Sequence, residues 1–160
     1  LARLLSAKEQ KVLTPLMDEK GVAYKKAALK KAGLFDYKTF GTAGEDFDMY
    51  FKLKEQGKIA YPGCKVMHYH YTEFKKRIKK EAQLAEAYGC LFRIYGTKMT
   101  RWYSAIIKSI PIFGAFLLIA TYPYQKLGIK SVAYIPIAFL LNIIFSINFW
   151  KGFIKKKQEI

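Results

Sequence analysis

The sequence predicts part of an α/β domain followed by a two-helix transmembrane hairpin. Three observations carry this expectation. Short apolar or alternating stretches at 21–24, 58–61 and 65–69 read as strands, and segments of helical pattern separate them. From Ala87 to Gln158 there is not one acidic residue. Within that span 109–125 and 131–150 carry no charge at all, and the second run is long enough for a hydrocarbon core of about 30 Å.

Composition narrows the function classes. The chain has 160 residues, 28 Lys+Arg against 12 Asp+Glu, and a net charge of +16, yet 52% of it is hydrophobic. That apolar content argues against disorder. The charge fits either nucleic acid or an anionic membrane surface. Cys64 and Cys90 lack metal-ligand spacing and are too few for a disulfide framework, so both read as structural thiols in a reducing compartment. The chain opens without Met in a helix-like stretch, 1–10, and is expected to be a segment of something longer.

The elements follow in order. A break at Thr14-Pro15 ends the first stretch. After the strand-like 21–24, an Ala- and Lys-rich helix over 25–31 closes at Gly33. A loop through Gly41 delivers Gly44-Glu45-Asp46-Phe47-Asp48, the densest acidic cluster of the chain. The apolar run behind it, to Gly57, places Glu45 and Asp46 at a helix N-terminus, where the dipole favours negative charge. Capping a helix is the ordinary role for such acids. Two strand-like segments flank Pro62-Gly63. A basic amphipathic helix from about Thr72 to Tyr88 then sets Phe74, Ile78, Ala82, Ala85 and Tyr88 on one face, with Lys75, Lys76, Arg77, Lys79 and Lys80 on the rest.

The hairpin is expected to use 109–125 and 131–150, with Tyr103, Tyr122, Tyr124, Tyr134 and Trp150 near the interfaces. Arg93, Lys98, Arg101 and Lys108 precede it, and Lys151 and Lys155 to Lys157 follow it. The connecting loop has only Lys126 and Lys130. The positive-inside bias therefore predicts an integral protein of the cell membrane, with its soluble part and both ends in the cytoplasm. A membrane anchor accounts for the basic surface through anionic lipid and removes the need for a specific nucleic-acid partner.

Residues 21 to 89 add a resemblance. The Gly-Val-Ala-Tyr strand, a helix ending in Gly33-Leu-Phe-Asp36, Gly44-Glu45-Asp46-Phe47-Asp48, Gly57, Tyr61-Pro62, Val66-Met67-His68 and Tyr88-Gly89 occur in the order and spacing of a family-2 glycosyltransferase. The chain thus resembles the C-terminal, acceptor-side half of a GT-A (Rossmann-like) domain over somewhat under half its length. The implied organisation is 1–89 as that portion, 90–108 as an interfacial linker, 109–150 as the hairpin and 151–160 as a basic tail.

The resemblance implies inverting transfer of a sugar from a nucleotide-diphosphate donor to an acceptor hydroxyl. A hydroxyl is a poor nucleophile at neutral pH, so a carboxylate must take its proton as the bond forms. By resemblance that base is Asp46, with Glu45 orienting the acceptor and Gly44 and Asp48 lining and supporting the substrate loop. A divalent cation, Mg or Mn, would offset charge on the leaving diphosphate, held by His68 and an Asp-x-Asp lying upstream of the chain. The anchor points to a membrane-associated acceptor, either lipid-linked or a glycan.

Two departures limit the resemblance. The upstream Asp-x-Asp and the nucleotide-binding half are absent, so the segment would be inactive without them. The Gln-x-x-Arg-Trp of processive members is also missing; the matching region reads Gln83-Leu-Ala-Glu86-Ala87, which favours transfer of one or a few sugars. The competing reading is a non-enzymatic, membrane-anchored docking protein, for which the acidic cluster and His68 are coincidence.

Overall fold

The structure, a computed structural model, describes residues 23–41, 43–57, 73–99, 102–121 and 132–155. These fall into two compact units, one holding α1 to α3 and the other α4 to α7.

In the first unit, α1 (Lys26–Lys31) carries Lys30 and Lys31 in its last turn, where they suit the negative end of the dipole. It ends in a Schellman motif: Leu34 N–H donates to the Leu29 carbonyl at 3.1 Å and Gly33 N–H to that of Lys30 at 3.2 Å. Tyr24 packs edge-on against Phe35, with centroids 5.9 Å apart. Helix α2 (Tyr37–Phe40) is a single turn, and its N-cap Asp36 accepts from Thr39 N–H at 2.9 Å. Helix α3 (Glu45–Lys54) then buries Met49, Tyr50 and Phe51 beside Phe40 and Ala43, the apolar core of this unit.

The second unit is built on α7 (Tyr134–Ile154), which lies alongside α4 (Phe74–Tyr95). The rings of Tyr88 and Phe92 meet those of Phe145 and Phe149, and Ile78 packs where Tyr134, Ala138 and Leu141 cluster. The two long helices therefore run in the same direction. A short 3₁₀ turn (Gly96–Lys98), α5 (Trp102–Ser109) and α6 (Phe113–Ala120) carry the chain back along α7. The backbones of α4 and α7 touch at two glycines. A Cβ on Gly89 would collide with the Phe149 carbonyl, and one on Gly152 with the Glu86 carbonyl. Cys90 is buried there, and its thiol donates to the Gly152 carbonyl at 3.1 Å.

The fold corrects the α/β expectation. Among the described residues there is no strand or sheet, and the GT-A (Rossmann-like) architecture is not seen. Ala23 and Tyr24, the end of the first expected strand, are chain leading into α1 rather than part of a sheet. An apolar run becomes a strand only where a neighbour completes its hydrogen bonds, and the described residues of this unit instead bury their apolar side chains with helices. The expected strands at 58–61 and 65–69 lie outside the described residues.

The transmembrane hairpin is corrected as well. Pro111 has no N–H and its ring clashes with the carbonyl four residues back, so helix stops at Ser109 and restarts at Phe113. Ile112 between them has φ of 72°, a strained value for a β-branched residue. Each fragment has eight residues, a length of about 12 Å, far short of a bilayer core. Among the described residues one helix, α7 with 21 residues, is long and apolar enough to cross a membrane. With a single such helix, placement of both chain ends on one side no longer follows.

The carbonyls at the break all have donors. Ser109 Oγ donates to the Ile106 carbonyl at 2.7 Å, and Ile110 N–H to that of Ile107 at 3.2 Å. Asn142 Nδ2 donates to the Lys108 carbonyl at 2.7 Å. The Ser109 carbonyl accepts twice, from Ser146 Oγ at 2.5 Å and Trp150 Nε1 at 3.0 Å. Asn142, Ser146 and Trp150 stand four residues apart, so one stripe of α7 holds the broken end of α5.

Glu86 accepts from Lys151 at 2.8 Å and faces Lys155 at 3.5 Å. The Lys151 hydrogen bond chiefly holds its carboxyl below the usual glutamate range, against the opposing effect of burial. A carboxyl depressed on folding stabilises above its unfolded pKa, and the benefit disappears as pH falls through the folded value. Wild type should therefore exceed Glu86→Gln by at most about 1 kcal/mol near neutrality. The gap should close once pH drops below the ordinary glutamate range of about 4.3, as read by denaturant midpoints. At the helix contact, Gly152→Val should cost about 3 kcal/mol or more, because backbone rather than a flexible side chain must move. Gly57→Ala, where an added Cβ meets nothing within 4 Å, should stay within about 0.5 kcal/mol.

Candidate functional site

The acidic cluster is displayed by a tight turn. Helix α2 ends at Gly41, and the chain reaches Gly44, whose φ of 95° lies in the left-handed region that a side chain would strain. Gly44 caps α3, its carbonyl accepting from Asp48 N–H at 3.0 Å. Glu45 is the first helical residue, so Glu45, Asp46 and Asp48 all occupy the first turn, where backbone N–H groups and the dipole favour anions. The opposite end carries Lys52 and Lys54, matching the negative terminus.

The three carboxylates have different surroundings. Asp48 is buried, 3% exposed, and forms an ion pair with Lys52 at 2.6 Å across one turn. Glu45 is buried at 7% exposure. Asp46 is half-buried, and its Oδ1 accepts from the Phe47 N–H at 2.9 Å. Asp46 is thus the carboxylate of the three most open to a molecule arriving from outside. Behind them Met49 is fully buried, which anchors the helix on its apolar face.

The structure therefore places Gly44, Glu45, Asp46 and Asp48 together by continuity of one turn. His68, the expected metal ligand, lies outside the described residues. Among the described residues no three His, Cys, Asp or Glu side chains form a group that could hold a metal ion, so they do not supply a cation's ligand set.

Charge elsewhere is concentrated on the first half of α4. Lys75, Lys76 and Lys79 are exposed; Lys76 pairs with Glu73 at 2.8 Å and Arg77 with Glu81 at 2.9 Å. The helix is longer than the sequence pattern indicated, running on to Tyr95. Beyond Glu86 its outward polarity falls away, and the contact with α7 holds it helical. The residues that sequence reasoning missed are Asn142 and Ser146 on α7. The run also holds Asn148, so its polar residues alone did not single these two out; their role depends on the break at Pro111 packed opposite them.

No family model, curated protein or solved structure matches the chain.

Proposed function

We propose that the chain is the acceptor-side portion of a membrane-associated inverting glycosyltransferase of family 2, with Asp46 as the general base. The observation that carries this reading is the Gly-Glu-Asp-x-Asp turn at the start of α3. It combines one half-buried carboxylate, Asp46, with two buried ones, Glu45 and Asp48, the latter paired with Lys52. The ordered resemblance of residues 21 to 89 supports the same reading. Asp46 takes the proton of the acceptor hydroxyl while its oxygen bonds to the anomeric carbon of the donor sugar. The bond to the nucleotide diphosphate breaks as that bond forms, and configuration inverts. Glu45 orients the acceptor, and Asp48, tied to Lys52, supports the turn. A divalent cation, when bound, offsets charge on the departing diphosphate. Donor binding comes from residues beyond this chain.

The acceptor is lipid-linked or otherwise held at the membrane, which the crossing-length helix α7 and the exposed lysines of α4 support. The soluble part faces the cytoplasm, the side favoured by the Lys and Arg that precede α5.

Transfer by the full-length protein in native membranes tests this reading, with a panel of nucleotide sugars and extracted membrane lipids. Asp46→Asn should lower sugar incorporation into the lipid fraction roughly 10²- to 10⁴-fold, the usual contribution of a general base. It should leave expression and the unfolding midpoint nearly unchanged, because Asp46 is not in the apolar core. Incorporation that survives the substitution removes Asp46 from the mechanism. Absence of incorporation from every donor would favour the docking-protein reading instead.

A further inference from the structure

The break between α5 and α6 is built in a way that water does not require. Chain ends exposed to water can leave their terminal carbonyls to solvent. Here the carbonyls of Ile106, Ile107, Lys108, Ser109, Ile110, Pro111 and Ile112 each receive a donor from the protein itself. The first N–H groups of α6 are also engaged: Phe113 donates to Pro111, Gly114 to Ile110 and Ala115 to Ile112, at 2.8 to 3.0 Å. Gly114 permits this because a Cβ there would overlap the amide nitrogen of Asn142 and crowd the Lys108 backbone. Asn142 is fully buried and Ser109 and Ser146 nearly so, which puts these donors on the inside, while Trp150 reaches the Ser109 carbonyl from a partly exposed position.

The outside is the reverse. Ile110, Ile112, Phe113 and Phe116 around the break are exposed, Phe113 by 68%. Ile143 and Ile147 on α7 are exposed too, Ile147 by 65%. The sequence has no charge from 109 to 125. Exposed apolar side chains around an irregular segment whose carbonyls are satisfied from within suit hydrocarbon, where a helix break is tolerated only if neighbouring side chains take up the freed backbone groups. In that medium an unpaired carbonyl would cost several kcal/mol, about what a break without such donors would forfeit.

We propose that the Ser109–Phe113 break is immersed among lipid acyl chains, with Asn142, Ser146 and Trp150 of α7 standing in for the water that would otherwise solvate it. The occupant of the exposed surface is lipid. The surface adjoins α7, itself apolar and long enough to cross, and it is bounded by basic residues: Lys108, half-buried just before the break, and Lys151 and Lys155 at the end of α7. The proposal is independent of the chemistry assigned to Asp46.

Quenching of a single environment-sensitive fluorophore tests it. The full-length protein, with Cys64→Ser and Cys90→Ala, would be reconstituted in phosphatidylcholine–phosphatidylglycerol vesicles. The reporter would be placed in turn at Phe113→Cys, Ile112→Cys and Lys98→Cys. Acyl-chain nitroxide lipid should quench the reporters at 112 and 113 at least several-fold more than the one at 98, and aqueous iodide should show the reverse order. Iodide quenching at 112 and 113 equal to that at 98 would overturn the proposal. Protection of both from iodide without quenching by nitroxide lipid would also overturn it, because the surface would then be covered by protein. Two reporter positions keep the result readable if one substitution disturbs folding.

Discussion

The double acceptance at the Ser109 carbonyl, from Ser146 and Trp150, is the interaction on which the second unit depends. Pro111 forces the chain out of helix, and the strained backbone at Ile112 shows that the bend is not a relaxed one. An exit of this kind in an apolar segment is tolerable only if the freed carbonyls are captured. Helix α7 captures two of them with three side chains spaced by one turn. The same stripe seats Gly114 against Asn142, which lets α6 restart within three residues and continue along α7.

The rest of the unit follows from that return path. Two long helices running in the same direction need a connection that travels their full length backward. The α5–break–α6 segment supplies it, and the broken geometry keeps it close to α7. Small residues then let α4 approach from the other side, where Gly89 and Gly152 bring the two backbones into contact and Phe145, Phe149 and Phe153 fill the flanks. Helix α7 is consequently buried along one stripe and apolar on the other. That is the surface expected of a helix whose outer neighbour is not water.

Much of this was readable from residue pattern, and the failures have identifiable causes. The helix near Lys26 and its closure at Gly33 were legible because the stop signal is local. The start of α3 at Glu45 was legible for the same reason: Gly44 and the acids act within a single turn. Fold class was not legible, because period-two alternation in a few residues cannot distinguish a strand from chain that merely packs; the outcome depends on a distant partner. The hairpin expectation failed at Pro111. Hydropathy weighs the apolar content of 109–125 but does not register where the hydrogen-bond ladder is cut. Asn142 and Ser146 compensate for that cut from 34 and 37 residues away, a separation at which no local pattern speaks. The position of Asp46 at the head of α3 was legible, but its greater exposure relative to Glu45 and Asp48 comes from packing in three dimensions.

The capture of the Ser109 carbonyl can be observed directly by solid-state NMR of protein labelled with ¹³C at that carbonyl and reconstituted in bilayers. The account predicts a shift typical of a strongly hydrogen-bonded carbonyl in wild type, moving toward the weakly bonded range in Trp150→Phe and further in Trp150→Phe with Ser146→Ala. A shift indifferent to both substitutions, or matching a carbonyl within an unbroken helix, would contradict it.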